Sequence, residues 1–268
     1  AYRNTQLLDK CSPDGYLMGG PHYKMHNENP CTHHTFEHIN ALAYVLEHID
    51  EKYLTNNKAK IPSDKAWKTK YYPEMDSFRY NNSKYIADIT FYDQNMSYSG
   101  HASGGTLTFL YKKGVGPLIA GSVTEYKLTE STNMQVPLDR DSHQSLLPRI
   151  EIKKDGKLYS TSYFTKATYS KKSSNSLEIK TGLMDCDGNK LDNYVFELKY
   201  EISKEGISIN LTNIDDNLVY KLPLINGNIQ IEEGKLIQQK DIFFLTGGFI
   251  AKEYQIKPIN GKIVIKIN

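Results

Sequence analysis

From Lys84 to the C-terminus, apolar side chains recur at every second position in short runs, each bounded by a turn signal. A period of two sends alternate side chains to opposite faces of an extended chain, so it fits strands and not helices. Ile150 and Ile152 alternate with charge and lead into Lys154-Asp155-Gly156-Lys157, the pattern of a two-residue hairpin turn. Ile207, Ile209 and Leu211 follow Glu205-Gly206, and Ile229 and Ile231 precede Glu232-Glu233-Gly234-Lys235. Ile263, Ile265 and Ile267 close the chain after Asn260-Gly261. Strands this short and frequent, with no helical period between them, predict a large antiparallel β-sandwich over residues 84–268.

The chain has a different character before residue 60. Phe36, Ile39, Ala43, Leu46, Ile49 and Tyr53 fall at spacings of three and four, which predicts a helix from about Thr32 to Thr55. Thr32 or Thr35 can cap its start, and Asn56 and Asn57 break the pattern. His34, His38, Ala41, Val45 and His48 form a second row on the opposite face. A helix with two such faces is expected to be covered on both sides, as in an α layer larger than one helix. Residues 61–83, with Pro62 and Pro73, read as a linker. The expected fold class is therefore mainly β: a helical segment over 1–60, a linker, and the sandwich.

Composition narrows the function. Lys and Arg number 33 against 31 Asp and Glu, a formal charge of +2, without the clustered basic excess of a nucleic-acid binder. No run approaches the roughly 18 apolar residues of a membrane helix. Cys11, Cys31 and Cys186 are an odd count without metal-ligand spacing. The opening AYRNTQLLDK lacks a basic segment followed by an apolar one, so it is not a signal peptide; the chain reads as part of something longer.

Six of the eight histidines lie between His22 and His48. Gly19-Gly20-Pro21-His22-Tyr23-Lys24-Met25-His26-Asn27-Glu28-Asn29-Pro30 is a loop entering a helix N-terminus, where unpaired N–H groups favour anions. Tyr and His together can move protons near neutral pH. A loop that merely packs its rings is the plainer alternative. His34 and His38 have chelating spacing, but Thr35 stands where a zinc-protease helix has Glu, so packing is the expected role. A second cluster, Ser97-Tyr98-Ser99-Gly100-His101-Ala102-Ser103-Gly104-Gly105, opens a strand, with glycines that let the backbone pass close to another surface. A third, Thr132-Asn133-Met134-Gln135 followed by Arg140, His143 and Arg149, offers groups that bind sugar hydroxyls and carboxylates, or simple loop polarity.

At these residues the chain resembles the heparinase II/III-like polysaccharide lyases. Asp14-Gly15-Tyr16, then Gly20-Pro21-His22-Tyr23, is similar to the loop carrying that family's catalytic tyrosine, near the end of an incomplete α/α toroid. Gly100-His101-Ala102, Leu107-Thr108-Phe109-Leu110-Tyr111 and Gly116-Pro117-Leu118-Ile119-Ala120-Gly121 resemble the family's first β-domain motif, in which a His-x-His-Ala-Asp turn precedes a strand. Here Ser99 replaces the first His, Ser103 the Asp, and Ala120 or a neighbour the acid of the second strand. The family's structural metal is therefore expected to be absent, and no cofactor is implied.

The resemblance implies β-elimination at a uronic acid in an acidic polysaccharide, by a periplasmic or secreted protein. Tyr23 would be base and acid, with His22 or His101 as partner; His26 could assist. Asn27, Asn29 or Arg140 would hold the carboxylate, and Asn133 and Gln135 would bind substrate. The further partner implied is additional helical wall of the same protein. Two other readings stand beside it: a non-catalytic carbohydrate-binding or structural sandwich, and an unrelated glycan-binding sandwich.

Overall fold

The computed structural model describes residues 32–50, 65–91, 102–121, 146–185, 187–244 and 249–268. The chain divides into two compact units: residues 1–60, 128–141 and 244–249, and residues 61–127, 142–243 and 250–268.

The described helix of the first unit, α1, spans Thr32–His48. It stops short of the Thr55 expected from the spacing. Ile49 and Asp50 are weak helix formers, and His48 closes the last turn locally. Its Nδ1 lies 2.8 Å from the Tyr44 carbonyl, and its ring stacks on Tyr44 at 4.1 Å. Phe36, Ile39 and Leu46, from the predicted apolar face, are exposed. The side chains of His34 and His38 lie outside the described set, as do Cys11, Cys31 and Cys186.

The second unit is built of two antiparallel sheets. In the first, β1 (Trp67–Tyr72), β2 (Ser77–Asn81), β3 (Tyr85–Thr90), β4 (Thr106–Lys112) and β5 (Gly116–Ala120) pair in sequence order. The second sheet begins with β6 (Arg149–Lys154), β7 (Lys157–Ser160), β8 (Thr168–Lys172), β9 (Ser176–Asp185), β10 (Lys190–Ile202) and β11 (Ile207–Thr212). It continues with β12 (Tyr220–Leu224), β13 (Ile229–Glu233), β14 (Lys235–Phe244), β15 (Phe249–Lys257) and β16 (Ile263–Ile267). Its order is β13-β16-β11-β10-β9-β7-β6-β12-β15-β14, with β8 added to β9.

Two strands occupy the stretch read as a linker. β1 and β2 pair across Thr69–Tyr80 and Tyr72–Ser77, around a 3-10 turn at Pro73–Met75. Pro73 masks the alternation by sitting in the hairpin turn, where its fixed φ is useful. Beyond it, Phe78 and Tyr80 are buried in strict alternation with Arg79. The turn signals, by contrast, do what their chemistry predicts. Asp155 and Gly156 both have positive φ (51° and 76°) and join β6 to β7 with Lys154 opposite Lys157. Asn260 and Gly261 (51° and 71°) do the same between Ile259 and Lys262.

One apolar cluster joins the facing sides of the two sheets. Phe78, Tyr80, Ile89 and Leu107 from the first meet Ile179, Tyr200, Ile209 and Ile265 from the second, all at most 2% exposed. The alternation of β3, β11 and β16 is the sequence cause: every second side chain faces this layer. The mainly β class expected from the period-two runs is the class observed.

Candidate functional site

Three strand ends of the first sheet and the start of β6 meet at one end of the sandwich. Gly105 N donates to Thr90 O, which holds the end of β3 against the start of β4. Gly121 N donates to Thr108 O at 2.6 Å, and a Cβ on Gly121 would fall 2.4 Å from Leu147. In sequence, residues 92–101 and 122–145, which carry His101 and Asn133, Gln135 and Arg140, connect these strand ends. His101, Asn133, Gln135, Arg140 and His143 lie outside the described residues, as do Tyr23, His22, His26, Asn27 and Asn29.

The turn that follows His101 is held firmly. Ser103 is 1% exposed; its N–H donates to Ser162 O at 2.8 Å and its hydroxyl to Phe164 O at 3.4 Å. Thr106 Oγ1 donates to Ser103 O at 2.6 Å. Gly104 and Gly105 have φ of 71° and 72°. A Cβ on Gly104 would stand 1.9 Å from Thr161 O, and one on Gly105 would stand 2.8 Å from Ile179. Close backbone approach, expected from the glycines, is what these two positions provide.

Two of the positions where the resemblance would place metal ligands, Ser103 and Ala120, offer no free ligand group. The Ser103 hydroxyl is spent on a backbone carbonyl, and Ala120 has no donor atom. Among the described residues no group of three His, Cys, Asp or Glu could hold an ion.

Just inside this end lies a charge network. Arg149, 4% exposed, donates to Leu147 O at 3.0 Å, to Glu151 at 2.5 Å and to Glu253 at 3.4 Å. Lys221 pairs with Glu151, and Lys240 with Glu253 at 3.4 Å. Arg149 was a polar candidate in the third cluster. Its burial and its three partners among the described residues make it a framework residue, positioning the start of β6.

The outer face of the first sheet carries side chains that the sequence reading passed over. A groove of about 200 Å³ is lined by Tyr72, Met75, Arg79, Asp88, Thr90 and Thr108. Arg79 grips Asp88 through two bonds of 2.6 Å, and that hydrogen-bonded pairing raises the guanidinium pKa further. Lys70 Nζ stands 4.6 Å from the Tyr72 ring centroid, with Arg79 5.8 Å from the same ring. Thr90 and Thr108 hydroxyls meet at 3.0 Å. A ring, a fixed acid–base pair and paired hydroxyls can engage a sugar. The signal for Arg79 was available in the alternation of Ser77-Phe78-Arg79-Tyr80-Asn81, hidden by the proline before it.

Residues 69–264 match the family model of the ulvan lyase C-terminal domain. The chain belongs to the ulvan lyase family. Residues 1–64 match the ulvan lyase N-terminal domain. A broad-specificity ulvan lyase of Formosa agariphila is 30% identical over 231 residues, 81% of this chain and 35% of the relative. The chain therefore spans about a third of that relative's length. Among solved structures, heparan sulfate lyase HepC of Pedobacter heparinus shares 10% identity, over 94% of this chain and 42% of that one, at a TM-score of 0.47. A mutant of the same enzyme shares 12% over 86% and 41%, also at 0.47. The polysaccharide lyase resemblance seen at His22-Tyr23 and His101-Ala102 agrees with the family. Among the described residues no helix is long and apolar enough to cross a membrane.

Proposed function

We propose that this chain is part of a secreted or periplasmic polysaccharide lyase that cleaves uronic-acid-containing polysaccharide, ulvan in particular, by β-elimination. Membership of the ulvan lyase family, over 69–264, is the observation that carries this reading. Residues 1–60 would supply helical structure to this lyase, and Tyr23 and His101 are the residues proposed to act.

Tyr23, as phenolate, takes the C5 proton of the uronate. The electrons of that C–H bond form the C4=C5 double bond, the C4–O4 bond breaks, and the proton is returned to O4 by Tyr23. His22 or His101 lowers the cost of the phenolate, and His26 assists. The C5 proton is weakly acidic, so the adjacent carboxylate must be neutralised; Asn27, Asn29 or Arg140 does this in a site shielded from water. Asn133 and Gln135 bind neighbouring hydroxyls. Neither metal nor cofactor enters the scheme. The pinned turn at Ser103–Gly105 supports it by giving His101 a rigid neighbour.

The test is incubation with ulvan, following absorbance of the unsaturated product. Growth of that absorbance, abolished by Tyr23→Phe, is expected. Binding without turnover would instead favour a non-catalytic carbohydrate-binding domain, a reading favoured by Ser103 and Ala120 at the resemblance's ligand positions.

A further inference from the structure

The opposite end of the sandwich holds an open cavity of about 590 Å³, lined by Ala66, Tyr80, Asn81, Asn82, Ser174, Asn175, Ile202 and Lys204 among others. That size is typical of a small-ligand site. Its rim is made of three turns bonded to one another. Asn82 Nδ2 donates to Ser203 O at 2.8 Å, Ile202 N to Asn175 O at 2.8 Å, and Thr69 Oγ1 to Ser174 O at 3.0 Å. Tyr80 OH donates to Ser176 O at 3.2 Å. The rim is thus fixed before any ligand arrives.

The hydrogen-bonding character of the lining is one-sided. Asn81 is 1% exposed, and its Oδ1 accepts from Lys113 Nζ at 2.9 Å. An ammonium can only donate, which fixes the amide orientation. Asn81 Nδ2 is left buried with no hydrogen-bond partner. Such a group is costly in an apolar setting and calls for an acceptor. The neighbouring side-chain amide oxygens are already engaged. Asn82 Oδ1 takes the backbone N–H groups of Lys84 and Tyr85, and Asn175 Oδ1 takes Ser173 Oγ. Lys204 makes no ion pair among the described residues, and Tyr80 and Ile202 give the cavity an apolar wall. The nearby acid is Glu205, fully exposed, its carboxyl pKa lowered first by the Ser203 hydroxyl. Lys204 lines the cavity, and Lys84 and Lys204 both act on Glu205, so positive charge outweighs negative there.

We propose that this cavity is a second, non-catalytic saccharide site that takes a carboxylate-bearing sugar of an acidic polysaccharide. The unpartnered Asn81 amide and the Lys204 ammonium suit a ring bearing several oxygens, Lys204 suits its carboxylate, and the Tyr80–Ile202 wall suits its C–H face. The choice of a uronate as that sugar rests on the lyase reading; the donor-rich cavity does not. At the end of the sandwich opposite the Ser103–Gly105 turn, the site would hold the polymer while another stretch of it is cleaved.

The experiment uses the full chain carrying Tyr23→Phe, so that no probe is consumed, titrated calorimetrically with an unsulfated glucuronate-containing tetrasaccharide. Lys204→Ala and Asn175→Ala, both at exposed or rim positions, should each weaken binding by at least about fivefold, since charge-assisted hydrogen bonds are lost. Their melting temperatures should match the parent's. The proposal is overturned if both variants bind as the parent does, if a neutral tetrasaccharide binds equally well, or if inorganic sulfate competes as effectively as the saccharide. A parallel ulvan cleavage assay on the chain with Tyr23 intact separates the two readings. Cleavage lost with Lys204-dependent binding retained sinks the lyase alone, and cleavage retained with Lys204-independent binding sinks the second site alone.

Discussion

Gly104 sits so close to Thr161 that a methyl group on its α-carbon would stand 1.9 Å from the Thr161 carbonyl oxygen. Its φ of 71° adds a second constraint, because a side chain is strained in that region whatever the space. The turn that follows His101 is thereby held against the 3-10 turn Thr161–Tyr163, and His101 inherits a fixed neighbour.

Gly104→Ala is expected to destabilise the protein by at least about 2 kcal/mol, from left-handed strain plus the displaced carbonyl. Chemical denaturation measures it. A variant as stable as the parent would show that the turn can move away from Thr161 at no cost.

Arg149→Met leaves Glu253 and Glu151, 2% and 9% exposed at their side chains, without their shared guanidinium. Breaking one side of a buried pair costs about 3–5 kcal/mol, and because Lys221 and Lys240 still pair with the two carboxylates the loss is expected at or below the low end of that range. Adding Glu253→Gln should recover part of the loss. Full additivity of the two single changes would contradict the network.

Asp185 links to pH. Burial pushes its carboxyl up, but hydrogen bonds from the Asn189 side chain and backbone, and from Lys157, outweigh it and hold the pKa below the ordinary value. A lowered folded pKa stabilises the fold above the unfolded value of about 3.9. That contribution disappears as pH falls through the folded value. Asp185→Asn should therefore lose less stability than the parent on acidification from about pH 5 downward, read by urea midpoints. Parallel curves would remove Asp185 from the acid response.

Tyr23→Phe should cut turnover of ulvan by at least about a hundredfold while leaving binding nearly intact, because proton transfer commonly contributes that much. His101→Ala should also slow turnover, and His143→Ala less so. Unchanged kcat in the phenylalanine variant would end the role given to Tyr23.

Local rules decided the β character of this protein. Alternation at Ile207, Ile209 and Leu211, and turns such as Asp155-Gly156 and Asn260-Gly261, act over a few residues, so they read directly from the chain. Two strands escaped because Pro73 reads as a breaker when only its neighbours are considered, and as a hairpin turn once β1 and β2 pair. The end of α1 at His48 turned on weak helix formers that the apolar period runs straight through. The site divided in the same way. Gly104 and Gly105 announced a close approach, but that the surface approached is Thr161 and Ile179, 57 and 74 residues further along the chain, came only with tertiary packing. So did the burial of Arg149 between two glutamates and the unpartnered amide of Asn81. Residue type sets what a side chain can do; which groups it meets is set by sheet pairing over long separations, which no local pattern encodes.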